Sequence, residues 1–298
     1  MEYLFSKWDE LKGDFINRHI YLFIDYDGTL TPIVEQPDKA VIPEDMRNIL
    51  RDLSTKPGCS IGIISGRALK DIKRMVGLER IIYVGNHGLE IEGPKIKFES
   101  QISSQLFSII RNLKEELTNK LSKIKGIFVE DKDVTLSVHY RLATRSSYLL
   151  AKKIIEEVIQ PFLARNKIKV SYGKKVIEIK PPVQWNKGRV VAWLLARQTF
   201  ILGDHPIMPI YLGDDVTDES IFSSLPPESI TIKIGIKTSV AKYNLASQNE
   251  VYQIINRLMQ CLFRFIQPFN KLNNSTFIKK YFLFSSAFFF KNYFQTFV

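Results

Sequence analysis

The stretch IYLFIDYDGTLTP at residues 20–32 decides the fold. Its opening run, IYLFIDY at 20–26, is apolar, rich in β-branched residues and closed by acid, the pattern of a buried parallel strand. The DGTLTPI that follows is turn-forming. Working outward, residues 43–55 read as a helix, with Pro43 in its first turn and Met46, Ile49, Leu50 and Leu53 at helical spacing. SIGII at 60–64 is a second buried strand, closed by Ser65-Gly66-Arg67. A helix from about Ala68 to Met75 leads to the strand IIYVG at 81–85. Strand and helix in strict alternation predict a parallel sheet covered by helices.

The pattern changes after Gly93. Helical periodicity over 103–123 is followed by strand-like runs at 126–130 and 134–140, a helix over about 144–165, and further runs at 168–172 and 175–180. That order predicts an inserted α+β layer of antiparallel hairpins. Pro181-Pro182 marks the return. A helix at 187–198, the strand IMPIYLG at 207–213, the helix DESIFSSL, the strand ITIKIG at 230–235 and a helix at 250–260 resume the first pattern. The expected organisation is a discontinuous α/β core at 15–93 and 182–260, an inserted cap at 94–181 and a tail at 261–298.

Composition bounds the rest. The chain has 298 residues, 45% hydrophobic and 24% charged, ordinary for a soluble globular protein. Cys59 and Cys261 have neither metal-ligand spacing nor a CxxC partner. The charged N-terminus resembles neither a signal peptide nor a membrane span, so a cytoplasmic enzyme is expected. The net charge is +11, of which residues 261–298 contribute +5 through five cations and no acid. The remaining +6 suits a small anionic substrate, and no recognition motif supports nucleic acid. The tail holds 11 of the 20 Phe. Its apolar run 281–290 is too short to span a bilayer, which needs about 20 residues. Its basic and aromatic residues would suit a peripheral membrane or partner-binding segment, but Phe, Lys, Asn, Ile and Tyr are also what AT-rich codons encode, so out-of-frame sequence is the favoured reading and membrane contact through the tail is not expected.

Four signals fall at predicted strand ends, the ligand-binding edge of open α/β sheets. Asp25 and Asp27 leave a buried strand two residues apart, and a divalent cation would relieve their repulsion. Asp25 is placed to act as a nucleophile and Asp27 as an acid and base; the pair also fits a plain turn. Asp214, Asp215 and Asp218 end another apolar strand with hard-cation ligands, or with the acids a helix N-terminus favours. Ser65 and Gly66 suit phosphate oxygens or a simple N-cap. Lys187 suits a phosphoryl oxygen or open solvent.

Together these residues resemble the haloacid dehalogenase superfamily of phosphatases: DYDGTLTP at 25–32, Ser65, Lys187 and GDDVTDE at 213–219, in order and spacing, with an insertion similar to a C2-type cap. A narrower resemblance, to trehalose-6-phosphate phosphatases over about 15–260, rests on GNHGLE at 85–90, EDK at 130–132, SVHYR at 137–141, GKKVIEIKPPVQWNKG at 173–188, GDDVTDES at 213–220 and IGIKTSVAKYNLASQNEV at 234–251. The resemblance implies a HAD-like Rossmannoid core and magnesium held by Asp25, the Asp27 carbonyl and Asp214, with Asp215 or Asp218 in support. It implies phosphoryl contacts from Ser65, Gly66 and Lys187, and sugar contacts from Glu130, Lys132 and Glu178. Arg67, His87, Glu90, His139 and Arg141 are further substrate-pocket candidates. A functional link to the synthase that makes the substrate follows from the same family. The alternatives are a phosphatase for another sugar phosphate, such as sucrose phosphate or mannosylglycerate phosphate, and a catalytically silent sugar-phosphate sensor.

Overall fold

The computed structural model describes residues 1–265 except Gln101 and Gln184. The core opens with β1 (Glu2–Tyr3), α1 (Trp8–Leu11), β2 (His19–Asp25), α2 (Glu44–Ser54), β3 (Cys59–Ile64), α3 (Leu69–Val76), β4 (Ile82–Gly85), β5 (Glu90–Gly93) and β6 (Ile96–Glu99). The cap follows as α4 (Ser104–Leu121), β7 (Phe128–Asp131), β8 (Leu136–His139), α5 (Arg145–Ala164), β9 (Lys169–Gly173) and β10 (Val176–Lys180). The core then resumes with α6 (Lys187–Leu202), β11 (Ile207–Gly213), α7 (Val216–Ser224), β12 (Ile230–Ile234), β13 (Tyr243–Leu245) and α8 (Val251–Phe265).

The core sheet has nine strands in the order β1-β13-β12-β11-β2-β3-β4-β5-β6, parallel up to β4 and antiparallel beyond it. Side chains alternate across a strand, so β2 sends Ile20, Leu22 and Ile24 to one face and Tyr21 and Phe23 to the other. The first face packs on α2, α3 and α8, the second on α6 and α7. The register then brings the functional ends together. Asp25 pairs with Ile64, just before Ser65; Ile64 pairs with Val84; Leu212, two residues before Asp214, pairs with Ile24. All the acids and the Ser65 turn therefore emerge at one sheet edge.

The cap sheet, β7-β8-β10-β9, is fully antiparallel. Helices α4 and α5 cover one of its faces through Leu113, Leu117, Ile155 and Ile159. Both helices begin where the sequence offers a hydroxyl. Ser103 accepts from Leu106 N–H and Thr144 from Ser147 N–H, satisfying donors that a first turn leaves open.

Several boundaries differ from expectation. Strands β5 and β6 form a hairpin on the core sheet, so the sheet continues to Glu99, past the break expected after Gly93. Gly93-Pro94, where the pattern changes, sits at the tip of that hairpin, and Lys95 there takes a left-handed φ of 58°. Leu4, Trp8 and Leu11 pack into the core, N-terminal to the expected start at residue 15. Helix α7 begins at Val216 rather than Asp218, because Asp215 and Asp218 form a capping box. Helix α8 continues to Phe265, and Leu262 is buried, so the first five residues assigned to the tail belong to the fold. The rest of the expected tail lies outside the described residues. No helix among the described residues is long and apolar enough to cross a membrane.

At the opposite sheet edge His19 is buried, with Nε2 2.9 Å from Ser60 Oγ. Burial, aided by His205, lowers its pKa from 6.5 to about 4. The folded state thus holds the ring neutral while the unfolded chain takes up a proton below 6.5. Stability is intact above that pH and falls as pH drops toward 4, by roughly 3 kcal/mol for this group. Urea unfolding of the wild type and His19→Gln across pH 7 to 4 checks this: the variant is expected to show a shallower loss, and equal slopes would reject it.

Candidate active site

Asp25 ends β2 and is buried, as is Lys187, the first residue of α6. Lys187 Nζ donates to Asp25 Oδ1 at 2.6 Å and to Asp218 Oδ1 at 3.1 Å. Asp218 is fully buried and also accepts from Tyr211 OH at 2.8 Å and from Asp215 N–H at 3.0 Å. Burial raises the Asp25 pKa, and the Asp218 and Asp214 charges add to this against the pull of Lys187; the result lies well above the usual carboxylate range. Burial opposes the charge on Lys187, but Asp218 and Asp25 override it and hold the ammonium protonated.

Asp25, Asp214 and Asp218 offer oxygens within 4.8 Å of one another. Asp214 Oδ1 is buried and has no hydrogen-bond partner among the described residues. An orphaned carboxylate oxygen beside two further carboxylates suits a hard divalent cation. The donors to Asp218 already occupy both its oxygens, which leaves Asp25 and Asp214 with the greater free capacity. Asp215 Oδ1 instead caps α7 through Val216 N–H at 2.7 Å. Gly28 has φ 90°, and a Cβ there would run into the Asp214 carboxylate, so only glycine fits the turn.

Asp27 lies outside this cluster. Arg67 grips it bidentately, Nε to Oδ2 at 2.8 Å and Nη2 to Oδ1 at 2.6 Å. Ser65 is buried beneath the cleft floor, with Oγ accepting from Arg67 N–H at 3.1 Å. Gly66 and Arg67 line the cleft itself.

The opposite wall comes from the cap. Glu130, Lys132, His139, Arg141 and Glu178 all face the same cleft as Asp25, Asp27, Lys187, Asp214 and Asp215. Glu130 and Lys132 share a face of β7 and its extension, with Nζ 3.8 Å from Glu130 Oε2. His139 Nε2 lies 2.6 Å from the same Glu130 oxygen. Glu178 Oε1 is 2.6 Å from His87 Nε2 and 3.7 Å from Lys132, and its Oε2 is 2.6 Å from Lys180. Burial lowers the His87 pKa to about 4 despite Glu178, so the neutral ring donates to that carboxylate. Burial works to raise Glu178, but His87, Lys132 and Lys180 hold it well below the usual carboxylate range. The cleft therefore carries ionised acceptors and cationic donors together, a lining suited to hydroxyls and phosphate.

Three predicted residues do not reach the cleft: Ser65, Asp218 and Glu90. Glu90 accepts from Leu69 N–H at 3.4 Å and from the Asn86 side chain, behind the wall. Sequence reading also missed Lys174, at the β9–β10 turn. Its Nζ reaches across from the cap to Asp214 Oδ2 at 2.6 Å, and Arg141 Nη2 donates to its carbonyl at 2.8 Å. The available signal was Gly173-Lys174-Lys175, a basic hairpin turn inside a string already noted for Glu178.

Residues 23–253 match the model of the family described as trehalose-phosphatase. The chain is 34% identical over 264 residues to probable trehalose-phosphate phosphatase 4 of Oryza sativa subsp. japonica, covering 86% of this chain and 70% of that protein. It is 30% identical over 268 residues to trehalose-phosphate phosphatase B of Arabidopsis thaliana, with the same coverage. Among solved structures, the C-terminal domain of C. albicans trehalose-6-phosphate phosphatase superposes with a TM-score of 0.69 at 25% identity, over 85% of this chain and 96% of that one. A trehalose-6-phosphate phosphatase related protein shares the fold, with a TM-score of 0.71 at 24% identity over 82% of this chain and 99% of that one. With the family model running through both core segments and the cap, the chain belongs to the trehalose-phosphatase family and is a phosphatase with a haloacid dehalogenase-like core.

Proposed function

We propose that this enzyme hydrolyses trehalose 6-phosphate to trehalose and phosphate, the closing step of trehalose biosynthesis, with Asp25 as nucleophile. The observation that carries the reading is the buried Lys187–Asp25 contact of 2.6 Å at the floor of a cleft whose far wall is Glu130, Lys132 and Glu178. Family membership supports the phosphatase chemistry, and the relatives' names support the sugar.

Magnesium held by Asp25, Asp214 and the Asp27 carbonyl would supply positive charge beside the phosphoryl oxygens and offset the burial that otherwise disfavours the ionised form of Asp25. The protein supplies the rest. Lys187 orients Asp25 and adds its own charge at the site of the developing negative charge. An Asp25 oxygen bonds to phosphorus as the bond from phosphorus to the sugar oxygen breaks, and Asp27 gives that oxygen a proton. Water then bonds to phosphorus, the bond to Asp25 breaks, and Asp27 takes the water proton. Arg67 engages both Asp27 oxygens. An arriving phosphate dianion competes for that guanidinium fork and frees Asp27 for proton transfer. Glu130, Lys132 and Glu178 read the sugar hydroxyls while the cap excludes bulk water.

Phosphate release from trehalose 6-phosphate and a panel of other sugar phosphates, with magnesium or EDTA, tests the reading. Wild type is expected to be selective for trehalose 6-phosphate and magnesium-dependent, and Asp25→Asn inactive. Release only from other sugar phosphates would keep the mechanism and reassign the cap; folded but inactive wild type would turn the reading to a sugar-phosphate sensor.

Magnesium should also stabilise the fold directly, by about 3 kcal/mol at a hundredfold excess over its dissociation constant. Calorimetry is expected to show this in the wild type and not in Asp214→Asn; an equal shift in both would remove Asp214 from the metal site. Glu178→Ala should damage turnover of the preferred disaccharide phosphate far more than that of p-nitrophenyl phosphate. Equal losses on the two substrates would count against a division between cap recognition and core chemistry.

A further inference from the structure

The loop between β4 and β5 holds two consecutive non-glycine residues in the left-handed region, Asn86 at φ 49° and His87 at φ 55°. Such backbone persists where the surroundings over-determine it, often at ligand clamps and switch regions. Here the main chain is fastened to the phosphate-side turn: Asn86 N–H donates to Arg67 O at 2.7 Å and His87 N–H to Ser65 O at 3.1 Å.

The fully buried Asn86 side chain works across the seam instead. Its Nδ2 donates to the Lys132 carbonyl at 3.0 Å and to the Glu90 carboxylate, and its Oδ1 accepts from Thr135 Oγ1 at 2.8 Å. Two of these three partners, Lys132 and Thr135, belong to the β7–β8 turn of the cap. That turn is itself closed by Lys132 N–H donating to Thr135 O at 3.0 Å, so it presents both groups as one unit. Lys132 Nζ completes the dock on Gly66 O at 2.9 Å. Neither Asn86 nor Thr135 lines the cleft. A primary amide donates twice and accepts at its oxygen, which this arrangement requires. Aspartate would set an oxygen against Glu90 and the Lys132 carbonyl. Asparagine also tolerates the left-handed backbone better than other non-glycine residues.

We propose that the Asn86 carboxamide is the latch that holds the cap shut on the core. It is a positioning residue that sets specificity, because a substrate spanning cap and core uses the closed state and a small one does not. The specificity part rests on the substrate reading above; the latch itself does not.

Asn86→Gly keeps the left-handed backbone and its main-chain bonds while deleting the latch. Thr135→Val deletes the donor from the cap side, and Thr135→Ser restores it. Small-angle X-ray scattering of the full chain without substrate is expected to show a larger radius of gyration for Asn86→Gly and Thr135→Val, and wild-type values for Thr135→Ser. In kinetics, the first two variants should lose about tenfold or more in kcat/KM on trehalose 6-phosphate, as expected for severed buried hydrogen bonds, and stay within about threefold on p-nitrophenyl phosphate. Scattering needs no substrate, so a wrong sugar assignment is separable: the sugar phosphate that the wild type does hydrolyse then replaces trehalose 6-phosphate in the ratio. Unchanged scattering with parallel losses on both substrates, or no losses at all, would overturn the latch.

Discussion

One ammonium group between two buried carboxylates sets the terms for this fold. Removing ions from water costs several kcal/mol each unless geometry and further hydrogen bonds offset it. Lys187 meets that condition only because β2, α6 and α7 converge on one point, with Tyr211 and the Asp215 N–H filling the remaining capacity of Asp218. Its position at the first turn of a helix runs against the helix dipole, which favours anions there. The two carboxylates, rather than the helix, therefore dictate where the lysine goes. The parallel sheet is the device that makes this possible, because its register brings three strand ends to one edge without any strand having to bend.

The cap answers this negative floor with a mixed wall. Glu178 sits among His87, Lys132 and Lys180, while Glu130 sits among His139 and Lys132. Each acid is held ionised by neighbours that also fix its rotamer. Carboxylates held this way accept from hydroxyls without first having to be ordered, and pre-organisation of this kind limits the entropy lost on binding. Lys174 shows the other side of the same design: a cap cation reaches a core carboxylate, so charge as well as shape brings the two bodies together.

Much of this was legible in the sequence, for reasons that differ by element. Strands β2, β3 and β11 are continuous apolar runs ending in chemistry-bearing residues, so both their burial and their functional ends could be read. The small strands could not. Glu2–Tyr3 and Tyr243–Leu245 are too short to show a period, and the two four-residue strands of the β5–β6 hairpin straddle the point where the pattern changes. At the site, the motifs single out Asp25, Asp214 and Lys187, and the fold gathers the three at one sheet edge. The motifs could not show that Asp218 spends its oxygens on Lys187, Tyr211 and a backbone N–H, or that Ser65 lies beneath the floor and Glu90 behind the wall. Those facts depend on which way side chains turn once packed. Lys174 and Asn86 escaped notice for a related reason: each matters through a partner distant in sequence, and a single chain read alone gives no sign of such pairings.

The buried apolar residues of the cap form a cluster drawn from residues 110–179, and the two clusters of the core contain none of them. The contacts that join the two bodies include polar ones among Asn86, His87, Gly66, Lys132, Thr135 and Glu178, and the ion pair of Lys174 with Asp214. Interior packing can therefore drift in either body without being felt by the other. A handful of hydrogen-bonding groups is all that must stay matched, so one hydrolytic core can carry caps of differing sequence, provided each preserves that short polar handshake.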